Sequence, residues 1–172
     1  MHRNMIKAGL IITAAVLTLT ACGGDKKDDA KDNTGSASAS VIGPNGWDKL
    51  KLKDNLDTAK QTGELGDTAT AAGTCQSYPV KDKDAQALFS TDKGLVKVQF
   101  KTGDVKTPEG IGAGSTVSEL RAKYPSTQVG PDGYFTKVPG KDEYTYTFDA
   151  DGRADGSKIT TFGVQVTGET CK

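Results

Sequence analysis

Histidine is nearly missing from this sequence, and its scarcity removes several kinds of chemistry. The 172-residue chain has one histidine, His2, close to its N-terminus. Ser-His and Cys-His nucleophile pairs and the usual zinc ligand sets all need imidazole. Neighbouring carboxylates such as Asp142 and Glu143 lie in polar sequence that is typical of solvated loops. We therefore expect no enzyme activity, no catalytic residues and no cofactor.

An excess of either charge is also missing. The chain has 22 lysines and arginines against 22 aspartates and glutamates, and its formal net charge at pH 7 is zero. A nucleic-acid partner requires a concentrated basic surface that displaces counterions from phosphates. We therefore expect no nucleic-acid partner.

Long hydrophobic runs are absent as well. Residues 8–20 (AGLIITAAVLTLT) form an apolar segment behind the basic residues Arg3 and Lys7. The segment is too short to span a hydrocarbon core of ~30 Å comfortably, and this combination is typical of a signal peptide. The next residues, Ala21 and Cys22, place a small side chain directly before a cysteine. This arrangement indicates a lipoprotein cleavage and lipidation site.

These features predict a signal peptide at 1–21 and a lipid anchor on Cys22. Several acyl chains would hold the protein on the outer face of a cell membrane more firmly than one chain does. An ordinary secretory signal and an uncleaved membrane anchor are the alternatives. Residues 22–45 contain few large apolar side chains, so we expect a flexible polar tether there.

Cysteine is scarce, and its positions are informative. The chain has three cysteines. With Cys22 lipidated, Cys75 and Cys171 remain in an oxidising compartment, where a disulfide is their expected state. A metal pair and a reactive thiol are the alternatives, but histidines and a CxxC spacing are missing.

Residues 46–172 are predicted to form a single α+β domain. One helix is expected at about 55–62, with Asp54 as its N-cap. A second is expected at 116–124, where Ser115 or Thr116 caps the helix and Glu119 completes a capping box. Helices this short persist only when they pack on another element.

Three segments alternate between apolar and polar residues and are predicted to be strands, at 95–100, 143–148 and 159–166. The apolar positions are Val96, Val98, Phe100, Tyr144, Tyr146, Phe148, Phe162, Val164 and Val166. The opposite positions are Lys97, Gln99, Thr145, Thr147, Thr161 and Gln165. We therefore expect an antiparallel sheet with short helices on one face and water on the other.

The domain also shows signs of an internal duplication, with units at about 46–107 and 108–172. Five positions of the first unit align with five of the second at a constant offset of 61 residues. The aligned positions are Leu50, Lys53, Asp54, Leu56 and Ala59 with Ile111, Gly114, Ser115, Val117 and Leu120.

In each unit an apolar residue and a turn precede the short helix, and the second unit carries the turn sequence Ile111-Gly112-Ala113-Gly114-Ser115-Thr116. With the cysteine and tether, this layout resembles small secreted lipoproteins of actinobacteria. Their repeat is similar to that of the beta-lactamase inhibitor protein and, more distantly, to the small lipoprotein of the outer-membrane assembly machine. The resemblance implies the α+β fold and a Cys75–Cys171 pair. In the first unit, Lys53 stands where the repeat has glycine.

Two local segments are candidates for binding. Tyr134 and Phe135 follow a turn, so an exposed ring there is a candidate partner contact. Asp149, Asp151 and Asp155 are weak candidates for a calcium site, although their spacing does not fit an EF-hand loop. A long hairpin turn is the simpler interpretation.

Two functions remain open. The first is a membrane-anchored binding or envelope-structure module that contacts an envelope protein. The second is a receptor for a small extracellular ligand or ion. The first requires a flat exposed patch, and the second requires a concave pocket with convergent polar groups.

Overall fold

A computed structural model describes residues 40–169 and 171 of the chain. The predicted signal peptide 1–21, the lipidation site Cys22 and the tether up to residue 39 lie outside the described residues. Among the residues that are described, no helix is both long and apolar enough to cross a membrane.

The described residues form twelve strands and two short helices, numbered in chain order. The first part comprises β1 (Ser40–Gly43), β2 (Gly46–Trp47), β3 (Leu50–Lys51), α1 (Leu56–Gln61), β4 (Thr70–Ala72), β5 (Cys75–Pro79), β6 (Ala85–Ser90), β7 (Gly94–Phe100) and β8 (Val105–Lys106). The second part comprises α2 (Val117–Lys123), β9 (Gln128–Gly130), β10 (Gly133–Val138), β11 (Lys141–Ala150) and β12 (Ile159–Val166).

Eight strands form one large antiparallel sheet in the order β4-β5-β6-β7-β12-β11-β10-β9. The first four and the last four strands are two antiparallel meanders, and they meet where β7 pairs with β12. The other four strands form a small sheet in the order β3-β2-β1-β8, in which β1 and β8 run parallel. The predicted fold class, an α+β fold built on an antiparallel sheet with short helices, is confirmed.

The main hydrophobic core lies between one face of the large sheet, the two helices and the small sheet. Tyr146 and Phe148 of β11 are buried there, as predicted, together with Leu120 of α2. Trp47 of the small sheet packs edge-on against Phe100 of β7, with ring centroids 5.3 Å apart. The small sheet therefore closes the core on the side that the helices leave open.

Both helices begin with side-chain caps. In α2 the capping box is confirmed, because the Thr116 hydroxyl accepts from the Glu119 amide at 3.1 Å and Glu119 Oε2 accepts from the Thr116 amide at 2.7 Å. The N-cap predicted for α1 is wrong by one residue, since Asn55 Oδ1 accepts from the Thr58 amide at 2.8 Å. Asp54 is instead held by β7, where its carbonyl accepts from the Leu95 amide at 2.7 Å.

The face assigned to Val96 is also wrong. Phe89 pairs with Leu95 but Leu88 pairs with Lys97, so Val96 is the extra residue of a β-bulge. An inserted residue resets the alternation of side chains along the strand. Val96 therefore packs with Leu88 and Cys75 in a small second cluster, on the opposite face of the large sheet from Val98.

The folded domain starts earlier than residue 46. Ser40 and Val41 pair in parallel with Val105 and Lys106, and Ile42 is completely buried. The boundary predicted at 45 is therefore too late. Two apolar residues at the end of a polar stretch are enough for a short strand, because the edge of β2 and the core are available to receive them.

A helix followed by four strands occurs twice, as α1-β4-β5-β6-β7 and as α2-β9-β10-β11-β12. The aligned residues Lys53 and Gly114 both have positive φ, of 75° and 85°. This backbone region suits glycine, so Lys53 adopts it at a conformational cost.

Backbone hydrogen bonds before the two helices also correspond. In each unit the backbone amide of the residue with positive φ donates to the carbonyl of the first apolar residue of the unit's last strand. The amide of that strand residue donates in turn to the carbonyl of the residue that follows the positive-φ position. The pairs are Lys53 N to Leu95 O and Leu95 N to Asp54 O in the first unit, and Gly114 N to Ile159 O and Ile159 N to Ser115 O in the second, all at 2.7 or 2.8 Å. The two units therefore share a local structure as well as an order of elements.

Candidate functional site

The large sheet carries a cleft of about 400 Å³ on the face opposite the helices. We call this feature the sheet cleft. Side chains of the strands line it, and these are Leu88, Val96, Lys97, Phe135, Thr145, Thr147, Asp149 and Gln165. Two segments flank the strands, residues 130–133 at the β9–β10 turn and, after β12, residues 167–169 with Cys171. The face that was expected to be open to water is therefore concave.

The segment after β12 is held over the sheet by several contacts. The predicted disulfide joins Cys75 and Cys171, whose Cα atoms are 5.3 Å apart. Thr167 Oγ1 lies 2.8 Å from Thr145 Oγ1, and Thr145 is only 6% exposed. The expectation that Thr145 faces water is therefore wrong, because a covalently tethered segment covers it.

Lys97 projects into the sheet cleft from β7, directly after the bulge. Its side chain is half-buried, and burial lowers its pKa despite the opposing influence of the carboxylates of Asp149 and Asp132. A lysine that keeps its charge in such surroundings usually has an anion nearby. No ion pair within 4.0 Å joins Lys97 to another described residue. The carboxylates that face this lysine therefore act on it without a direct ion pair.

Asp149 lies in the same cleft near the end of β11 and remains accessible to solvent. Partial burial raises the pKa of this carboxyl, while Lys97 lowers it and Asp132 raises it. Asp132 lies in the β9–β10 turn and is exposed. The cleft lining thus contains one cation, Lys97, and three carboxylates, those of Asp149, Asp132 and Glu169, of which Glu169 pairs with Lys93 at 2.7 Å.

The two aromatic rings predicted as partner contacts are separated by the strand alternation of β10. Phe135 points into the sheet cleft and is 36% exposed. Tyr134 is 3% exposed and belongs to the main core, where its hydroxyl donates to the Arg153 carbonyl at 3.3 Å. Phe135 remains a candidate contact, but the assignment of Tyr134 as one is wrong because its ring is buried.

The three aspartates weighed for calcium are used separately. Asp149 lies in the sheet cleft, Asp151 Oδ1 accepts from the Lys158 amide at 2.8 Å, and Asp155 Oδ1 pairs with Arg121 at 2.6 Å. Within residues 40–169 and 171, no group of three His, Cys, Asp or Glu side chains is placed to hold a metal ion. The segment between β11 and β12 is a hairpin connection whose carboxylates fix its shape.

Lys97 is the residue that sequence reasoning did not identify. The alternation of β7 placed it among ordinary solvated side chains, next to Gln99. Its surroundings depend on the bulge at Val96 and on residues 167–169 and Cys171, which line the same cleft. The sequence contained two indications that Lys97 is not an ordinary surface residue. One is its place between two valines in a strand, and the other is the disulfide, which brings the C-terminal residues onto β5.

The fold and the sheet cleft define a small α+β domain built on an open antiparallel sheet, with a binding-sized concavity opposite its helices. No protein-family model matches the sequence. The chain is 32% identical over 100 residues to DNA topoisomerase 3 of Bacillus subtilis (strain 168), in a match that covers 56% of this chain but only 14% of that enzyme.

A solved structure is similar in fold. The crystal structure of the uncharacterized protein yfeY from Escherichia coli superposes with a TM-score of 0.51 and 13% sequence identity. The match covers 73% of this chain and 99% of that chain. At this identity the likeness concerns the fold alone.

Proposed function

We propose that this chain is an extracytoplasmic lipoprotein, anchored through Cys22 to the outer face of a cell membrane, and that it acts as a non-enzymatic binding module. The signal-like sequence at 1–21 supports the anchor. The Cys75–Cys171 disulfide supports export, because structural disulfides persist in oxidising compartments. The repeated order of a helix and four strands supports the proposed likeness to the actinobacterial lipoproteins.

The sheet cleft carries the proposal for binding. Its volume of about 400 Å³ falls within the range of ~300–1,000 Å³ that is usual for small-molecule sites. Apolar side chains line part of it, and Lys97, Asp149 and Thr147 converge on it. A concave site with a few polar groups favours a receptor for a small extracellular ligand over a module with a flat contact surface.

Catalysis is not part of the proposal. The one histidine, His2, lies in the predicted signal peptide, and Asp142, from the carboxylate pair weighed above, pairs with Lys137 at 3.0 Å on the surface. The activity of the topoisomerase is not carried over either, because the match covers 14% of that enzyme.

A protein partner is the second candidate, and the exposed end of the large sheet favours it. β9 is an edge strand, and its Val129, which pairs with Tyr134, is 50% exposed on the sheet face opposite to the partly exposed Phe135 of β10. Edge strands present unpaired backbone groups that another chain can pair with. An envelope protein would bind there without entering the cleft.

A cleft-filling variant separates these candidates. Thr147→Trp places an indole in the sheet cleft, and Ser118→Trp places the same ring on the exposed side of α2 as a matched control. Full chains are screened against extracellular solutes by thermal unfolding, because a ligand that binds only the native state raises Tm. We expect a solute that stabilises the unmodified chain and the control but not Thr147→Trp.

Cross-linking in native cell envelopes tests the second candidate with the same variants. Capture of one envelope protein equally by the unmodified chain and by Thr147→Trp, with no stabilising solute, would replace the receptor function with the protein-partner function.

A further inference from the structure

Two opposite charges lie on one face of the large sheet without pairing with each other. Lys97 of β7 and Asp149 of β11 both line the sheet cleft, and the register places β12 between their strands. Each residue influences the pKa of the other, yet no ion pair within 4.0 Å joins them. Their charged atoms therefore lie more than 4.0 Å apart across the cleft.

The backbone of β12 keeps that space open. Gly163 lies between Gln99 of β7 and Thr147 of β11, on the same sheet face as the cleft. A Cβ atom at Gly163 would lie 2.3 Å from the Val98 carbonyl oxygen, so no larger residue fits this position. The floor therefore lacks a side chain at this one position of β12, while Gln165, which pairs with Lys97, also lines the cleft.

The two ends of the cleft differ in chemistry. Lys97 offers a half-buried ammonium beside the apolar side chains of Leu88 and Val96. At the other end, Asp149 and Asp132 offer carboxylates near the exposed ring of Phe135. A carboxylate compensates a desolvated lysine, whereas carboxylates with an aromatic face suit an ammonium group.

We propose that the sheet cleft binds a small zwitterion of the amino-acid class, with the ligand carboxylate on Lys97 and the ligand ammonium on Asp149. This inference rests on the proposed binding function and names the ligand class of the same site. The ligand satisfies both charges at once, which neither an anion nor a cation alone does.

The test uses the purified full chain and the standard amino acids, each added singly, with thermal unfolding and calorimetric titration as readouts. For each amino acid that binds, the N-acetyl form keeps only the carboxylate, and the carboxamide keeps only the ammonium. We expect at least one amino acid to bind, and both single-charge forms to bind at least about tenfold more weakly, because each loses one charge-assisted contact.

Matched variants locate the two contacts. Lys97→Met and Asp149→Asn should each weaken binding at least about tenfold, as expected when one partner of a charged contact is lost. Lys137→Met and Asp151→Asn, which change the same residue types outside the cleft, should leave affinity unchanged.

The outcomes separate this inference from the function on which it rests. Equal binding of a single-charge form, or full affinity in either cleft variant, would overturn the zwitterion assignment. If amino acids do not bind but another solute does, and Thr147→Trp abolishes its binding, the receptor function stands and the ligand class is wrong. If no solute binds, both fail.

Discussion

At the scale of single residues, Lys97 has surroundings that disfavour its charge. Burial lowers its pKa, and Asp149 and Asp132 only partly oppose this effect. A partly buried lysine of this kind destabilises the native state, and it is retained when it has a use, such as binding. Its removal should therefore make the protein more stable and less able to bind.

Lys97→Met should raise the free energy of unfolding at pH 7, because methionine fills similar space without a charge. The difference from the unmodified chain should shrink as pH rises toward 10.5, the ordinary pKa of lysine. Over that range the unfolded chain binds more protons than the native one, so the stability of the unmodified chain rises with pH. Urea titrations between pH 7 and 10.5 measure this, with the exposed Lys101→Met as control. A difference that stays constant with pH would contradict the explanation.

Glycine positions provide a second test at this scale. Gly163→Ala should cost about 3 kcal/mol, because its Cβ would lie 2.3 Å from the Val98 carbonyl and push β7 and β12 apart. Gly114→Ala should cost only about 1 kcal/mol, since its φ is +85° but no atom lies within 4 Å of the new Cβ. Urea denaturation of both variants gives the comparison, and equal costs would refute the steric argument.

At the scale of elements, each helix is capped by a contact between residues that are close together in the sequence. Thr116→Ala removes one half of the α2 capping box and should destabilise the domain by about 1 kcal/mol. Asn55→Ala removes the single cap of α1 and should cost a similar amount. Chemical denaturation measures both. A cost near zero at Thr116 would show that tertiary packing alone holds α2.

The helices and strands that could be predicted are those whose sequence patterns lie within the element itself. The capping box fixed the start of α2, and strict alternation identified β11 and β12, with β12 matched at both ends (Ile159–Val166). The bulge at Val96 and the strand Ser40–Gly43 depend on partners far along the chain. Sequence patterns near these residues do not contain that information, so the floor of the cleft could not be derived.

At the scale of the whole molecule, the disulfide joins the two halves of the fold and shapes the site. It closes a loop with a sequence separation of 96 residues. In the chain-entropy description, such a loop stabilises the native state by about 4–5 kcal/mol. It also keeps residues 167–169 and Cys171 against the sheet, where they form one side of the cleft.

Replacing both cysteines, as Cys75→Ala with Cys171→Ala, should therefore lower the free energy of unfolding by about 4–5 kcal/mol. Ligand binding should weaken further than the loss of stability alone explains, because one wall of the cleft is released. Chemical denaturation and titration under conditions where the variant remains folded measure the two effects. Unchanged affinity in the folded variant would show that residues 167–169 and Cys171 are not part of the site.

We expect the face of the large sheet opposite the helices to bind a ligand. Amide chemical-shift mapping of the full chain, with any solute that raises its Tm, tests this most directly. We expect shifts concentrated at Lys97, Phe135, Thr147, Asp149 and Gln165, and their loss in Thr147→Trp. Shifts concentrated on α1, α2 or the small sheet, with those five amides unchanged, would contradict it.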